Sequence, residues 1–271
     1  MKKLQVIFVV LFLIGMPLQA QKFYIRGGPG IAVSTAASNN YDIDTPANSA
    51  STLTSNKKGI GTGLAFVLAG GYKFNDHFGI ELGIDYFSGF TIKSKYTSSG
   101  YNSDSKSHGQ MLSLVPALVM SLPLDKFKPY ARLGLMLGIM NSVVFQEHRL
   151  ISIDSIEYKD EIQSKSKDYG GIAVGVQAAV GTDFVLSNRL SLFGEIQVDG
   201  ISYSPKHGKY TEYTNNGIDH LGSMPVSQKE WDYVHEATMS VTGGSDQPGN
   251  EITRNFMFGN VGLVLGVKVN L

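Results

Sequence analysis

The amino-acid sequence predicts an all-β protein, an eight-stranded antiparallel up-and-down transmembrane β-barrel. Three observations lead to this prediction. Apolar residues occupy every second position along eight segments, the connections between the segments are alternately short and long, and the second face of the segments is rich in glycine and alanine. No segment shows a convincing helical period of apolar residues.

The composition narrows the possible functions before any motif is considered. The chain has 271 residues, of which 42% are apolar and only 17% are charged, and the charged share lies below the roughly 25% of ordinary soluble domains. Its 23 basic and 23 acidic residues balance, so no nucleic-acid partner is indicated. Cysteine is absent, which excludes disulfides, thiolate catalysis and cysteine zinc sites.

The first residues have the layout of a secretory signal peptide. Two lysines lead an apolar run over residues 4–16, and the small residue Ala20 precedes the expected cleavage point. A membrane-anchor helix, the alternative, needs about 20 apolar residues. We therefore expect residues 1–20 to be a signal peptide and 21–271 to be one exported barrel domain.

The order of the connections predicts the topology. The apolar alternation covers residues 22–34, 60–74, 78–92, 109–122, 129–145, 169–186, 190–203 and 252–271. The connections after the second, fourth and sixth segments are short, whereas four are long, at 35–59, 97–108, 146–168 and 204–251. Alternate connections of an up-and-down sheet lie at the same end, so the tight turns share one end and the long loops the other. That asymmetry is typical of outer-membrane barrels, and we expect the last segment to close against the first.

The two faces of each segment indicate which one meets lipid. In the third segment Ile80, Leu82 and Ile84 share one face, whereas Gly79 and Gly83 lie on the other. A soluble ligand-binding barrel also alternates, with its apolar face inward, but its outer face would carry Lys, Glu and Thr. The small residues suit a narrow interior, so we predict that the apolar face contacts lipid. Aromatic residues gather on this face near the short turns, at Phe23, Tyr72, Phe74, Phe78 and Phe184, as expected of an interfacial girdle.

A few charged residues occupy the small-residue face at similar depth. Counted from the short-turn end, five lie two to five residues deep: Arg26, Glu81, Arg132, Glu195 and Lys268. Asp85 and Asp199 lie one layer further along. Unpaired ions in a lumen would be costly, while opposite charges at one level satisfy each other. We interpret the set as a salt-bridge layer that fills the lumen, the alternative being accidental polar positions on an exposed face. Pro116 removes a ladder donor, and we expect a bulge there.

These segments resemble a known family, the small eight-stranded outer-membrane barrels, similar to the transmembrane domain of outer membrane protein A. The resemblance rests on the stretches "KFYIRGGPGIAVS", "FGIELGIDYF", "PYARLGLMLG" and "GNVGLVLGVKVNL". It implies a location in the outer membrane of a Gram-negative bacterium, with outer-membrane lipid and lipopolysaccharide as neighbours. It also implies contact with the outer-membrane insertion machinery, which recognises a final phenylalanine in many members. This chain has Leu271 at that position.

Some barrels of this size are lipid-modifying enzymes that place histidine, serine and a carboxylate near the outer lipid boundary. All six histidines here lie in or next to turns and loops, and none has the spacing that nucleophilic catalysis requires. The best acid/base candidates are His148 with Glu147 and His235 with Glu236, for which we favour the interpretation of solvated loop residues. We predict no catalytic residue, no cofactor and no metal.

The last long loop contains the best candidate for a binding surface. It holds the only tryptophan of the chain together with several tyrosines, and the candidates are Tyr210, Tyr213, Trp231 and Tyr233. Aromatic residues among Ser, Asn and Gly are common in loop-built recognition sites, although a merely solvated loop is the alternative. In the first loop Asp42 and Asp44 lack the further ligands that calcium needs.

The function predicted from the sequence is a non-enzymatic outer-membrane barrel. Its lumen is filled by its own side chains, and its loops serve envelope structure or surface contacts such as adhesion to an unknown ligand. Three alternatives stay open: a narrow or gated pore, a lipid-modifying enzyme, and a secreted soluble binding barrel.

Overall fold

The computed structural model describes residues 22–35, 40–45, 52–56, 59–153, 158–236 and 246–271. The expected signal peptide, 1–20, lies outside the described residues. In the described part of the chain, no helix is long and apolar enough to cross a membrane.

The strands are, in chain order, β1 (Phe23–Ser34), β2 (Asn40–Thr45), β3 (Thr52–Asn56), β4 (Gly63–Lys73), β5 (Phe78–Gly89), β6 (Ile92–Ser98), β7 (Tyr101–Ser121), β8 (Phe127–Ile153), β9 (Tyr158–Tyr169), β10 (Ala173–Val185), β11 (Leu190–Tyr203), β12 (His207–Asn215), β13 (Ile218–Asp219), β14 (Glu230–Val234), β15 (Gly249–Ile252), β16 (Phe256–Met257) and β17 (Asn260–Asn270). A four-residue helix, α1 (Val226–Lys229), precedes β14.

Eight long antiparallel strands close into a ring in the order β1, β4, β5, β7, β8, β10, β11 and β17. The last pair, β17 with β1, sets Lys268 opposite Arg26. The chain end is tied into this seam, because the Leu271 N–H donates to the Phe23 carbonyl at 2.9 Å. The predicted eight-stranded barrel, and its closure by the last segment, are confirmed.

The side chains point as the alternation predicts. Leu82, Val174 and Leu265 on the outer face are 60%, 63% and 56% exposed, while Glu81 and Arg132 are each 5% exposed. The aromatic rings near the short turns also lie on the outer face and pack in pairs such as Phe23 with Tyr72, Tyr72 with Phe74 and Phe127 with Phe184. The outer surface of the ring is therefore an apolar band, and the polar side chains face the interior.

The sheet continues beyond the barrel at the long-loop end. Residues 92–110, 141–153, 158–169, 207–234 and 249–252, which we call the crown, add β6, β9, β12, β14 and β15 to the extended ends of β7 and β8. Two stretches predicted as long loops, 97–108 and 146–168, are thus largely strand. Crown strands such as β6 and β9 carry polar residues on both faces, so the period of two that marks a half-buried strand is absent from their sequence.

The prediction of a bulge at Pro116 is wrong. Pro116 lies opposite Leu82 of β5, and on the β8 side the register is the same before and after it. The irregularity lies between Leu112 and Ser113, where Ile139 of β8 is the extra residue. A proline removes only its own N–H from the ladder, which the regular register here accommodates.

Candidate functional site: a sealed lumen below a crown cavity

Four charged residues from four strands form one ion network inside the barrel. Two hydrogen bonds, of 2.8 and 3.0 Å, join the Arg26 guanidinium to the Glu195 carboxylate, and Arg132 Nη2 donates to Glu195 Oε1 at 2.8 Å. Glu81 Oε2 lies 3.3 Å from Arg26 Nε and 3.4 Å from Arg132 Nη1. Two cations and two anions balance, which offsets the cost of burying each one.

Hydroxyl groups complete this network. The Tyr24 hydroxyl donates to Glu81 Oε1 at 2.7 Å, and the Tyr130 hydroxyl donates to Glu195 Oε2 at 2.8 Å. Both tyrosines are buried. We call Tyr24, Arg26, Glu81, Tyr130, Arg132 and Glu195 the ion layer. The tyrosines were not predicted, although Tyr24 and Tyr130 each lie two residues from a predicted arginine and so share its face.

Lys268, which was predicted to belong to the same layer, has a partner of its own. Its Nζ lies 2.6 Å from Asp183 Oδ2, and both side chains are buried. Asp183 was not among the predicted residues. The signal was present, because Asp183 follows Gly181 on the small-residue face of β10.

The two deeper aspartates lie one level further along the lumen and have amide partners. Gln177 Nε2 donates to Asp85 Oδ2 at 2.7 Å, and Gln197 Nε2 lies 3.0 Å from both carboxylate oxygens of Asp199. A cavity beside Asp85 and Asp199 has a volume of about 20 Å³, room for about one water molecule.

Apolar side chains fill the lumen at the crown end. This apolar plug consists of Met111, Val115, Met136, Val143, Ala173, Ile201, Tyr203 and Phe258. The Phe258 ring is buried, with its centroid 6.1 Å from that of Phe87 and 6.3 Å from that of Tyr203. Ions, carboxylate–amide pairs and apolar groups therefore occupy three successive levels of the lumen.

The four predicted aromatic residues lie in the crown, and three of them pack together around Tyr210. The Tyr210 ring lies 5.7 Å from that of Tyr213 and 5.4 Å from that of Trp231, and the Arg254 guanidinium lies 5.2 Å from the Tyr233 ring centre. All four predicted aromatic side chains are half-buried. The expectation of exposed aromatics is wrong, because these side chains pack against one another or against Arg254 and are only partly accessible to solvent.

A cavity of about 310 Å³ lies against this aromatic row. We call it the crown cavity, and the side chains that define it here are Phe145, Asp168, Tyr210, Trp231, Glu251 and Arg254. Phe145 also packs against the apolar plug, which places the cavity next to that plug.

Asp168 is the unusual residue of this cavity. It is only 1% exposed, and neither carboxylate oxygen has a hydrogen-bond partner. Burial raises the pKa of Asp168, although the nearby Tyr233 hydroxyl and Trp231 indole N–H act in the opposite direction. These two donors approach the carboxylate without reaching hydrogen-bonding geometry, since both are themselves buried without a partner.

The first acid/base candidate from the sequence, His148 with Glu147, is not joined by a hydrogen bond. His148 Nε2 lies 2.9 Å from Glu161, whereas Glu147 binds Arg149 at 2.7 Å. His148 and Glu147 have different partners because adjacent residues of a strand point to opposite faces.

The remaining polar candidates offer no metal site within the described residues. His235 and Glu236 are exposed, and no group of three or more His, Asp or Glu side chains there could hold a metal ion. The side chains of Asp42 and Asp44 lie outside the described part of the structure.

Comparison with known proteins bears on the fold and the family. Residues 7–220 match the protein family described as "Outer membrane protein beta-barrel domain", while a search among curated proteins finds no match. Among solved structures, OprG from Pseudomonas aeruginosa is 13% identical, with 92% of this chain and 95% of that chain covered and a TM-score of 0.44. Neisserial surface protein A is 9% identical (92% and 97% covered, TM-score 0.38). Ail of Yersinia pestis is 11% identical (93% and 99% covered, TM-score 0.35).

Proposed function

We propose that this protein is a non-enzymatic, sealed barrel. The chain belongs to the outer membrane protein beta-barrel domain family and is therefore a small barrel protein of the Gram-negative outer membrane. It acts at the cell surface through its crown, in surface contacts or in envelope integrity. Outer-membrane lipid and lipopolysaccharide surround its apolar band, and the outer-membrane insertion machinery places it there.

The observation that carries this proposal is the filling of the lumen at three levels. An eight-stranded barrel has an interior just wide enough for side chains. Here the ion layer occupies that interior with side chains from four alternate strands of the ring, β1, β5, β8 and β11, joined by the bonds of Arg26 and Arg132 to Glu195 and Glu81. Above it, the apolar plug supplies no polar path for a hydrated solute. A rigid, closed barrel of this kind supports its crown and does not conduct.

The crown supports a role in contact with other molecules. Its strands extend the barrel sheet, so its aromatic side chains are held by strand pairing and not by loose loops. Tyr210 and Trp231 line a cavity beside a buried carboxylate, and binding sites commonly combine apolar walls with a few polar groups.

Planar-bilayer recording tests the sealed lumen. We expect the refolded protein, verified by its heat-modifiable gel mobility, to give no conductance steps above the lipid background. The matched comparison is a double variant, Glu81→Gln with Arg132→Gln, which removes one cation and one anion of the ion layer together. Steps in the wild-type protein that change size in this variant would overturn the proposal in favour of a narrow pore.

A second measurement tests the absence of enzymatic activity. The lipid A of a strain that overproduces the protein should have the same mass spectrum as that of the parent strain. A new lipid A species that requires the protein would favour a lipid-modifying enzyme instead.

A further inference from the structure

Three neighbouring crown strands align a carboxylate, a glycine and an indole. Asp168 of β9 lies opposite Gly208 of β12, which in turn lies opposite Trp231 of β14. Any side chain on Gly208 would collide with the indole, since a Cβ atom there would lie 2.1 Å from Trp231 Nε1. The glycine therefore lets the indole lie close to the sheet on the face that carries Asp168.

The charges around the crown cavity favour a cation over an anion. Its lining includes the carboxylates of Asp168 and Glu251 and the guanidinium of Arg254. Arg254 also lies over two aromatic rings, 5.2 Å from the centre of Tyr233 and 6.0 Å from that of Phe145. One negative charge is left over among these three ionic groups, and the aromatic faces attract cations as well.

A buried carboxylate without a hydrogen-bond donor is destabilising, so a ligand that supplies a charged donor gains affinity at Asp168. Its two oxygens can accept from an ammonium group, and such charge-assisted hydrogen bonds are stronger than neutral ones. The rings of Tyr210 and Trp231 offer apolar surface for the rest of the ligand.

From these contacts we propose that the crown cavity binds a small organic cation. Its ammonium group donates to Asp168, and its apolar body packs against Tyr210 and Trp231. The volume of about 310 Å³ is at the lower end for ligand pockets and suits one small molecule. The inference rests on the proposed role of the crown in surface contacts, and it specifies the chemistry of the ligand.

Trp231 is the only tryptophan of the chain, so its fluorescence reports directly on the cavity. We would titrate the full-length folded protein in nonionic detergent with phenethylamine, a primary ammonium on an aromatic body, and separately with 2-phenylethanol, its neutral counterpart. We expect a saturable change with the amine and at least ~10-fold weaker binding of the alcohol. Equal affinities would overturn the argument from charge, and the absence of a saturable response to the amine would overturn the proposal. Neither result alters the conductance expected of a sealed lumen, so the two proposals fail separately.

A pair of matched substitutions tests the role of the carboxylate. Asp168→Asn keeps the shape of the side chain and should weaken amine binding roughly 10- to 100-fold. Asp232→Asn is the control, since Asp232 lies on the face of β14 opposite to Trp231 and pairs with His207. The affinity of this variant for the amine should equal that of the wild type. Gel mobility verifies that each variant is folded. If Asp168→Asn does not fold, Glu251→Gln replaces it, with an expected several-fold loss. Unchanged amine affinity in the folded variant would overturn the proposal.

Discussion

Glu195 is the residue on which the ion layer depends most. Its carboxylate accepts two hydrogen bonds from Arg26, one from Arg132 and one from Tyr130. Glu195→Gln preserves the size of the side chain but removes its charge and one of its two acceptor oxygens. The two guanidinium groups then share Glu81 as their remaining anion in the layer.

The expected loss of stability follows from the burial of this network. Removing one partner of a buried ion pair costs about 3–5 kcal/mol, since the other charge stays buried without compensation. With an m value of about 3 kcal/mol/M, at the upper end for urea, the unfolding midpoint falls by roughly 1–1.7 M.

Urea unfolding of the protein refolded in lipid vesicles, followed by gel mobility and by Trp231 fluorescence, measures this shift. The control is Asp199→Asn, on the same strand and the same face as Glu195, because Asp199 is bonded to the amide of Gln197 and not to a cation. We expect that control to lie within about 1 kcal/mol of the wild type. If Glu195→Gln shifts the midpoint no more than the control does, the ion layer does not stabilise the barrel through its charges.

Three further predictions follow from packing and charge. A Cβ atom at Gly71 would lie 2.2 Å from the Tyr24 ring, whereas one at Gly70 meets nothing within 4 Å. Gly71→Ala should therefore lower the free energy of unfolding in urea by about 1–3 kcal/mol, and Gly70→Ala should leave it almost unchanged. Equal losses in the two variants would contradict this packing. Phe258→Ala should lower the free energy of unfolding by about 3–5 kcal/mol and yet leave bilayer conductance at background, since the ion layer still closes the lumen. Conductance steps in this variant would mean that the apolar plug alone seals the lumen. Burial raises the pKa of Asp168, so the folded crown binds this proton more tightly than the unfolded chain. The resulting stabilisation is complete below the unfolded pKa of about 3.9 and is lost as pH rises through the folded value. The thermal transition reported by tryptophan fluorescence should consequently fall from pH 4 to pH 7 more steeply than in Asp168→Asn, and equal slopes would refute this.

The faces of the barrel strands could be predicted from the sequence because alternation is a local property. A residue on a strand points to the opposite side from its neighbour, so Leu82 and Glu81 had to lie on different faces. The same rule placed Arg26, Arg132 and Glu195 together in the interior. The rule also applies to Asp183, which was not among the predicted residues.

The choice of partners inside the lumen could not be predicted in this way. Arg26 and Glu195 are 169 residues apart, on strands that are not neighbours in the ring, and their contact depends on strand tilt and on the register of several ladders together. For the same reason the partner of Lys268 could not be predicted, since its depth along β17 does not reveal its contact with Asp183.

The crown was the least predictable part. Strands such as β6 and β9 have polar residues on both faces, which removes the periodic signal. The side of the sheet on which Tyr210 and Trp231 lie depends on how β9, β12 and β14 pair. Asp168 carries no sign of its burial in the local sequence. It is a charged residue between lysine and tyrosine, a pattern typical of a solvated loop.

The sequence by itself determined the ring of strands and the direction of their side chains, because a period of two is written residue by residue and the lengths of the connections fix which ends meet. Tertiary structure alone decided which charges pair, that the lumen is filled at three levels, and that a carboxylate is enclosed beside an indole. Each of these depends on the register between strands distant in the chain, and register is a property of the closed sheet.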